Sequence, residues 1–205
     1  MNQDSLVANK AFRAILLGVE DVVGKQGLAT ILQQAGLPQF INNYPPNDPE
    51  RNGQKLSDIG KINHALFDIY GPRGSRAIMQ RVGRGQAKFG LEANAALANA
   101  AKLAAKFFSR RHKTKFALDT AAKAVNEQLD THVTISEDAQ YFYYEAWNCA
   151  YCKGWTHDAA VCHAVSGFIH GIVAWALDSD EFQVQEISCR AKGDELCKFR
   201  VALNA

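Results

Sequence analysis

Six side chains in the last third of the chain have the chemistry of metal ligands. All five cysteines lie there together with one carboxylate, and the set is Cys149, Cys152, Cys162, Glu186, Cys189 and Cys197. Thiolates and carboxylates bind zinc, and four such donors close a tetrahedral site. An odd number of cysteines in a reducing compartment favours metal ligation over a disulfide framework. The sequence therefore predicts a metal centre, with simple buried thiols as the alternative.

Spacing alone allows two different zinc sites. The first takes the knuckle Cys149-Ala-Tyr-Cys152 and adds Cys189 and Cys197. The second consists of Cys162, Glu186, Cys189 and Cys197. Because residues three apart in a regular strand face opposite sides of the sheet, the second site requires a bulge or twist between Glu186 and Cys189. Spacing does not decide between the two.

The last two strands are predicted to form a hairpin. The run Lys192-Gly193-Asp194-Glu195 contains a Gly-Asp pair, which is a two-residue turn signal. With this pair at the turn centre, Arg190 pairs with Cys197. Cys189 then pairs with Lys198, so that both cysteines lie close to the turn.

The first half of the chain is predicted to be helical. Apolar residues recur at helical spacing over 5–24, 28–35 and 57–70, and the glycines that follow each run are expected to end it. The alanine-rich segment 87–108 predicts one long helix, because alanine is the best helix former. A further helix is expected over 115–129.

The second half changes to a mixed pattern that predicts a sheet. Its expected elements are strands at 131–135 and 139–147, a helix at 156–177, and strands at 182–186 and 196–203. The prediction is an α+β fold with an antiparallel sheet of about four strands packed with helices. We divide the chain into a helical N-terminal region, 1–114, packed on the same domain, and a core, 115–205, that carries the metal site.

Composition and charge narrow the classes of partner. Hydrophobic residues make up 47% and charged residues 21% of the 205 residues, and the formal net charge is +2. So small a charge does not indicate a nucleic-acid partner. No apolar run approaches the roughly 20 residues that cross a bilayer, and no signal peptide is evident. We therefore expect no transmembrane segment and a cytoplasmic location.

Two motifs resemble the 4-vinyl reductase domain family. The first is Glu186-x-x-Cys189-x-x-x-Gly193-Asp194-x-x-Cys197-x-Phe199, preceded by the segment 161–171, which begins Val-Cys-His. The second is upstream, at 70–77 and 81–84, and is similar to members associated with bacteriochlorophyll synthesis and to their cyanobacterial relatives. The resemblance is most specific over 115–203.

The resemblance implies a fold and a ligand set. The fold would be an antiparallel sheet with helices around a hydrophobic pocket, often in a homodimer, as in subunits of the TRAPP vesicle-tethering complex. In related aromatic sensors, a helix cysteine and a Glu-x-x-Cys with a later cysteine hold zinc. By position these are Cys162, Glu186, Cys189 and Cys197, which favours the second site. Four protein ligands leave no open position for water, so this zinc would be structural.

The knuckle cysteines depart from that pattern. Cys149 and Cys152 are not a feature of the family in general, and they could compete for the metal, hold a ligand or respond to oxidation. The candidate lining of the ligand pocket is aromatic and aliphatic, namely Phe142, Tyr144, Trp147, Phe168, Ile172 and Trp175, beside the alanine-rich helix. The alternative is that these side chains fill the core.

The helix at 156–177 carries two further features. His163 and His170 share a face with Gly167 and could present imidazoles to a tetrapyrrole or a metal, or they could face solvent or a second subunit. The spacing of Gly167 and Gly171 indicates close approach of another backbone.

We favour a binding protein over an enzyme. It would hold a small hydrophobic molecule such as a tetrapyrrole and serve as an accessory or assembly factor in pigment synthesis or photosystem biogenesis, with photosynthetic assembly proteins as partners. The first alternative is a 4-vinyl reductase that acts on a chlorophyll precursor. It would need an external electron donor, since the chain has no dinucleotide fingerprint, P-loop or iron–sulfur spacing. The second alternative is a TRAPP-like dimeric scaffold.

Overall fold

A computed structural model describes residues 4–202 of the chain. Its α-helices are α1 (Asn9–Gln34), α2 (Leu56–Ala93), α3 (Ala95–Ala104), α4 (Arg110–Leu129) and α5 (His163–Leu177). Its strands are β1 (Val133–Glu137), β2 (Tyr141–Ala146), β3 (Gln183–Ser188) and β4 (Cys197–Ala202). The α+β class, the helical first half and the four-stranded antiparallel sheet are confirmed. The predicted end of the last strand at residue 203 lies outside the described residues.

Two of the predicted helix breaks are kinks inside longer helices. Gly24 in α1 has φ 75° and Gly71 in α2 has φ 67°, in the left-handed region that glycine tolerates best. Pro72 follows Gly71 and cannot donate the next helical hydrogen bond. Each of these helices therefore consists of two segments that meet at a glycine.

The alanine-rich segment is not one helix, as the sequence predicted. The chain leaves helical geometry at Asn94, where α2 ends, and α3 starts at the next residue. The Asn94 side-chain amide donates to the carbonyl of Gly90 at 3.0 Å, a local bond by which asparagine competes with the helix. A single turn at Ala105–Phe107 then leads toward α4, whose first turn is capped by Ser109.

Helix α5 begins later than predicted. Residues 156–162 precede it as an irregular segment that bonds to the C-terminal part of the chain. The His157 backbone N–H donates to Ala191 at 2.8 Å, and the Cys162 N–H donates to the carboxylate of Glu186 at 3.1 Å. These bonds tie the segment to β3 and its following loop, so the helix starts only at His163.

The sheet has the order β1-β2-β4-β3, with every neighbouring pair antiparallel. Strands β2 and β4 are central and pair Phe142 with Val201 and Tyr144 with Phe199. All four of these side chains are buried in one hydrophobic core that also includes residues of α1, α2, α4 and α5.

The connection between β3 and β4 is wider than the predicted two-residue turn. Ser188, not Cys189, pairs with Lys198, and a single helical turn at Arg190–Lys192 precedes Gly193 at φ 95°. The predicted pairs of Arg190 with Cys197 and of Cys189 with Lys198 are therefore wrong. The carboxylate of Asp194 accepts the Cys189 backbone N–H at 2.7 Å and so stabilises the wider loop.

A bulge in β3 confirms the irregularity that the second zinc site required. Glu186 pairs with Phe199 and Ser188 pairs with Lys198, so Ile187 has no partner on β4. The extra residue turns the strand between Glu186 and Cys189. Both side chains can then face the same side of the sheet.

Helices α2 and α5 pack with their backbones in contact. A Cβ atom on Gly83 would lie 1.9 Å from the carbonyl oxygen of Ala164, and one on Gly167 would lie 2.1 Å from that of Gln80. The close approach that the spacing of Gly167 and Gly171 indicated is confirmed. Over residues 4–202, each helix falls short of the length or the apolarity that crossing a membrane requires.

Candidate functional site

The five cysteines converge at one end of the sheet, although they come from five places in the chain. Cys149 follows β2, Cys152 ends the short turn Ala150–Cys152, and Cys162 immediately precedes α5. Cys189 follows β3 and Cys197 begins β4. All five are buried and unpaired by disulfides. Together with Glu186 they are called the cysteine centre below.

The sulfur atoms of the cysteine centre lie at ligand spacing. Cys162 is central: its Sγ lies 3.5 Å from that of Cys149 and 3.8 Å from those of Cys189 and Cys197. The Sγ atoms of Cys152 and Cys197 are 3.4 Å apart. Two ligands of one tetrahedral zinc ion lie roughly 3.8 Å apart at a Zn–S distance of about 2.3 Å. The arrangement therefore fits thiolates gathered around metal.

Two overlapping groups of four could each hold an ion. The knuckle set is Cys149, Cys152, Cys162 and Cys197, and the carboxylate set is Cys162, Glu186, Cys189 and Cys197. In each set the ligand atoms all lie within 4.8 Å of one another. The structure thus brings together the second predicted combination of ligands. It groups the knuckle with Cys162, where the first combination had Cys189.

A buried asparagine that the sequence analysis missed supports the centre from α2. The Asn63 side-chain amide donates to the carbonyls of Tyr151 at 2.8 Å and Val161 at 3.0 Å. These two carbonyls belong to the segments that carry Cys152 and Cys162. The sequence signal was a polar residue inside the apolar stripe of a helix, which indicates a buried hydrogen-bonding role.

Burial controls the protonation of the carboxylate. It raises the pKa of Glu186 to about 9, and the charge of Cys189 raises it further in the same direction. One carboxylate oxygen accepts the Cys162 N–H, whereas the other, Oε1, is buried and has no hydrogen-bond partner among the described residues. A cation at this position would supply the missing partner.

The thiols share their protons unevenly. Burial raises the pKa of Cys162, whereas hydrogen bonds from the neighbouring cysteines, Cys149 first, lower the pKa of Cys152. A bond with Cys152 raises the pKa of Cys189, but bonds with Cys162 and Cys197 outweigh it and the pKa falls to about 6. Some donors are thus ready as thiolates, and metal binding would displace protons from the others.

The six side chains predicted to line a pocket lie in different environments. Phe142 and Tyr144 are buried in the core, where Tyr144 packs edge-on against Phe199 at 6.1 Å. Trp147 is 39% exposed beyond the end of β2. Phe168 and Ile172 are half-buried along α5. Trp175, near the end of α5, is the member of the set that lines the surface clefts described next.

Two adjoining clefts lie beside α3 and share Trp175 and Asn99. The first has a volume of about 320 Å³, and its apolar walls include Leu103 and Phe116. The second has a volume of about 360 Å³, with walls of leucine, alanine and glycine from α2, α3 and α5. We call them the α3 clefts.

Cations line both α3 clefts. Lys102, Lys106 and Lys113 belong to the first, and Arg84 and Lys88 to the second. Lys102 forms an ion pair with Asp178, and its ammonium lies 5.9 Å from the centre of the Trp175 ring. The α3 clefts therefore combine an apolar aromatic wall with several positive charges.

The two histidines of α5 do not line the α3 clefts. Burial, with the charge of Arg76, lowers the pKa of His163 to about 4. His170 packs against Phe182, with 4.8 Å between ring centres, and its Nε2 lies 3.7 Å from a carboxylate oxygen of Asp180. Both imidazoles are thus engaged with protein groups.

Comparison with known families and structures agrees with this architecture. Residues 142–203 match the family model of the 4-vinyl reductase domain, which confirms the resemblance to that family over those residues. The matched segment contains the whole cysteine centre and all six side chains that were predicted to line a pocket. A search of curated proteins found no significant match.

Solved structures of H-NOX proteins share the fold. An H-NOX protein from S. oneidensis in the Fe(II)NO ligation state is 12% identical, with a TM-score of 0.57 and coverage of 94% of this chain and 99% of that one. A mutant of T. Tengcongensis H-NOX is 14% identical, with a TM-score of 0.56 and coverage of 95% and 96%. A chain described under heme redox potential and porphyrin distortion is 13% identical, with a TM-score of 0.58 and coverage of 96% and 99%.

Proposed function

We propose that this protein binds a small hydrophobic molecule, with a tetrapyrrole as the leading candidate, in the α3 clefts. It would serve as an accessory or assembly factor in pigment synthesis or photosystem biogenesis. The cysteine centre would hold structural zinc through Cys162, Glu186, Cys189 and Cys197. The observation that carries the proposal is the pair of apolar clefts around Trp175, lined also by cations.

The lining of the α3 clefts suits the two parts of a tetrapyrrole. The flat ring needs an apolar wall, which Trp175, Leu103 and Phe116 offer. Carboxylate side chains on the ring need cations, which Arg84 and Lys88 offer. The H-NOX structures, described with heme and with Fe(II)NO ligation, support the capacity of this fold to accommodate a tetrapyrrole.

The lining does not suit iron ligation. Among the described residues of the two clefts there is no His, Cys, Met or Tyr, the side chains that hold heme iron in proteins. A tetrapyrrole in the α3 clefts would be held through its ring and its carboxylates. We therefore expect a metal-free tetrapyrrole to bind about as tightly as heme.

Zinc in the cysteine centre would support this function by holding the sheet to α5. Its proposed ligands come from the start of α5, from β3 with its following loop, and from the start of β4. Four protein ligands close the coordination sphere, so the ion stabilises the fold. The ligand site and the metal site are then separate, because Trp175 lies near the opposite end of α5 from Cys162.

A titration with protoporphyrin IX tests the proposal. Its absorption band should shift on binding, with saturation at one ligand per chain, and hemin should give a similar dissociation constant. Trp175→Ala should weaken binding tenfold or more, about 1.4 kcal/mol, because it removes the aromatic wall shared by both clefts.

The matched control is Trp147→Ala, which changes an exposed tryptophan outside the α3 clefts. Equal affinity of the wild type and Trp175→Ala would refute the site. Failure of both tetrapyrroles to bind would refute the ligand class. The dimethyl ester of protoporphyrin IX, which lacks the carboxylates, should bind more weakly if the cations of the clefts contribute.

A further inference from the structure

The cysteine centre contains more donors than one ion can use. Five thiols and one carboxylate converge, whereas a tetrahedral ion takes four ligands. An ion in the carboxylate set leaves Cys149 and Cys152 unused beside it. An ion in the knuckle set leaves Cys189 and Glu186 unused. Either single-ion arrangement therefore buries two metal-ligating side chains without a metal.

The two sets share an edge. Cys162 and Cys197 belong to both, and their Sγ atoms are 3.8 Å apart, close to the spacing of two ligands of one tetrahedral ion. A thiolate has lone pairs enough to bridge two ions. Two ions on either side of this shared edge would lie roughly 3 Å apart.

Each side of the shared edge has its own pair of further donors. Cys149 lies 3.5 Å from Cys162 and Cys152 lies 3.4 Å from Cys197 on the knuckle side, measured between Sγ atoms. Cys189 lies 3.8 Å from Cys162 on the other side. Six donors thus form two tetrahedra that meet at two sulfur atoms.

The carboxylate supplies a second, independent observation. Glu186 is mostly buried; its Oε2 accepts the Cys162 N–H, while its Oε1 has no hydrogen-bond partner among residues 4–202. A carboxylate held by one oxygen in this way is oriented to coordinate metal with the other. A single ion in the knuckle set would leave that oxygen unpartnered.

We propose that the cysteine centre binds two zinc ions, bridged by the thiolates of Cys162 and Cys197. Cys149 and Cys152 complete the coordination of one ion, and Glu186 and Cys189 complete that of the other. Two divalent ions with five thiolates and one carboxylate have a net charge of about −2, the same as one zinc ion with four thiolates. The inference rests on the proposed zinc site and extends it to a second ion.

The first test is the zinc content of the full chain. Wild-type protein produced with excess zinc and freed of loosely bound metal should contain two zinc ions per chain by elemental analysis. The double variant Cys149→Ser/Cys152→Ser should retain one, and Cys189→Ser should also retain one. Cys197→Ser removes a bridging ligand and should retain less than one.

The second test needs no variant, so it stands even if one of them fails to fold. In wild-type protein loaded with ¹¹³Cd, NMR should show two cadmium resonances of thiolate-rich sites. The two signals should be coupled to each other, because a bridging thiolate transmits scalar coupling between the metals. Two uncoupled signals or one signal would overturn the bridged arrangement.

The outcomes separate this inference from the structural zinc on which it rests. One zinc ion in the wild type, unchanged in Cys149→Ser/Cys152→Ser, would overturn the two-ion centre and leave the carboxylate-set site standing. Absence of zinc from the wild type would overturn both. Stoichiometric iron with visible absorption would also overturn both, since it would indicate an iron–sulfur cluster.

Discussion

The two ends of α5 differ in how completely they are packed. At its start, the cysteine centre is buried and receives side chains from β3, β4 and the knuckle, with Asn63 of α2 behind it. At its end, Trp175 lines open clefts against the short helix α3, where Leu103 is 73% exposed. The motif that identifies the domain thus lies in the closed region. The capacity to take up a molecule lies where packing is incomplete.

The largest expected effect concerns the contact that joins α2 to α5 near the cysteine centre. Gly83→Ala places a methyl group 1.9 Å from a backbone carbonyl, so the two helices must separate. We expect a loss of about 3 kcal/mol or more in the free energy of unfolding, measured by urea denaturation.

Gly90→Ala is the control in the same helix, toward the α3 clefts. A Cβ atom at Gly90 meets no atom within 4 Å. Alanine should therefore be neutral or should stabilise the helix by up to about 1 kcal/mol. Similar losses in both variants would contradict the contrast between a closed and an open end.

An intermediate effect is expected from the two asparagines at the two ends. Asn63→Ala leaves the carbonyls of Tyr151 and Val161 without their buried donor and should cost about 1–3 kcal/mol. Asn99→Ala changes an exposed residue of the α3 clefts and should stay within about 0.5 kcal/mol. Thermal unfolding at matched metal content measures both. An equal cost would show that the bonds of Asn63 add nothing to the closed end.

The smallest effect is a pH dependence from His170, midway along α5. Burial lowers its pKa below the ordinary value of 6.5; Asp180 opposes the shift and Arg84 adds to it. The unfolded chain therefore binds a proton more readily than the folded chain, so stability is fully present above about pH 6.5 and falls as the pH drops below that value. Solvent screening keeps the loss below about 1 kcal/mol. His170→Gln should flatten the difference in stability between pH 7.5 and pH 5.5, and an unchanged difference would assign it to other groups.

The sequence predicted the class of fold well because its signals are local. Apolar spacing located the helices, alternation located the strands, and Gly24 and Gly71 were recognised as interruptions. Asn94 was missed because the surrounding alanines favour one continuous helix, and only its bond to the Gly90 carbonyl shows the competition. The turn after β3 was missed because the Gly-Asp signal is weaker than the tertiary bonds that widen it, such as the one from Cys189 to Asp194.

The candidate site was predictable in membership and not in grouping. Residue type identified Glu186 and the five cysteines as potential ligands. Their arrangement depends on which loops meet at the end of the sheet, and this is a property of the whole fold. The α3 clefts were the least predictable feature. An aromatic residue that fills the core, such as Phe142, and one that lines a cleft, such as Trp175, look alike in sequence.

The bulge at Ile187 has a second consequence, for the solubility of the sheet. Strand β3 is an edge strand, and an unprotected edge offers a row of backbone donors and acceptors to any other extended chain. A bulge interrupts that row and increases the local twist, so a second strand cannot continue the ladder in register. The irregularity that turns Glu186 and Cys189 toward the same centre thus also protects this edge of the sheet from aggregation.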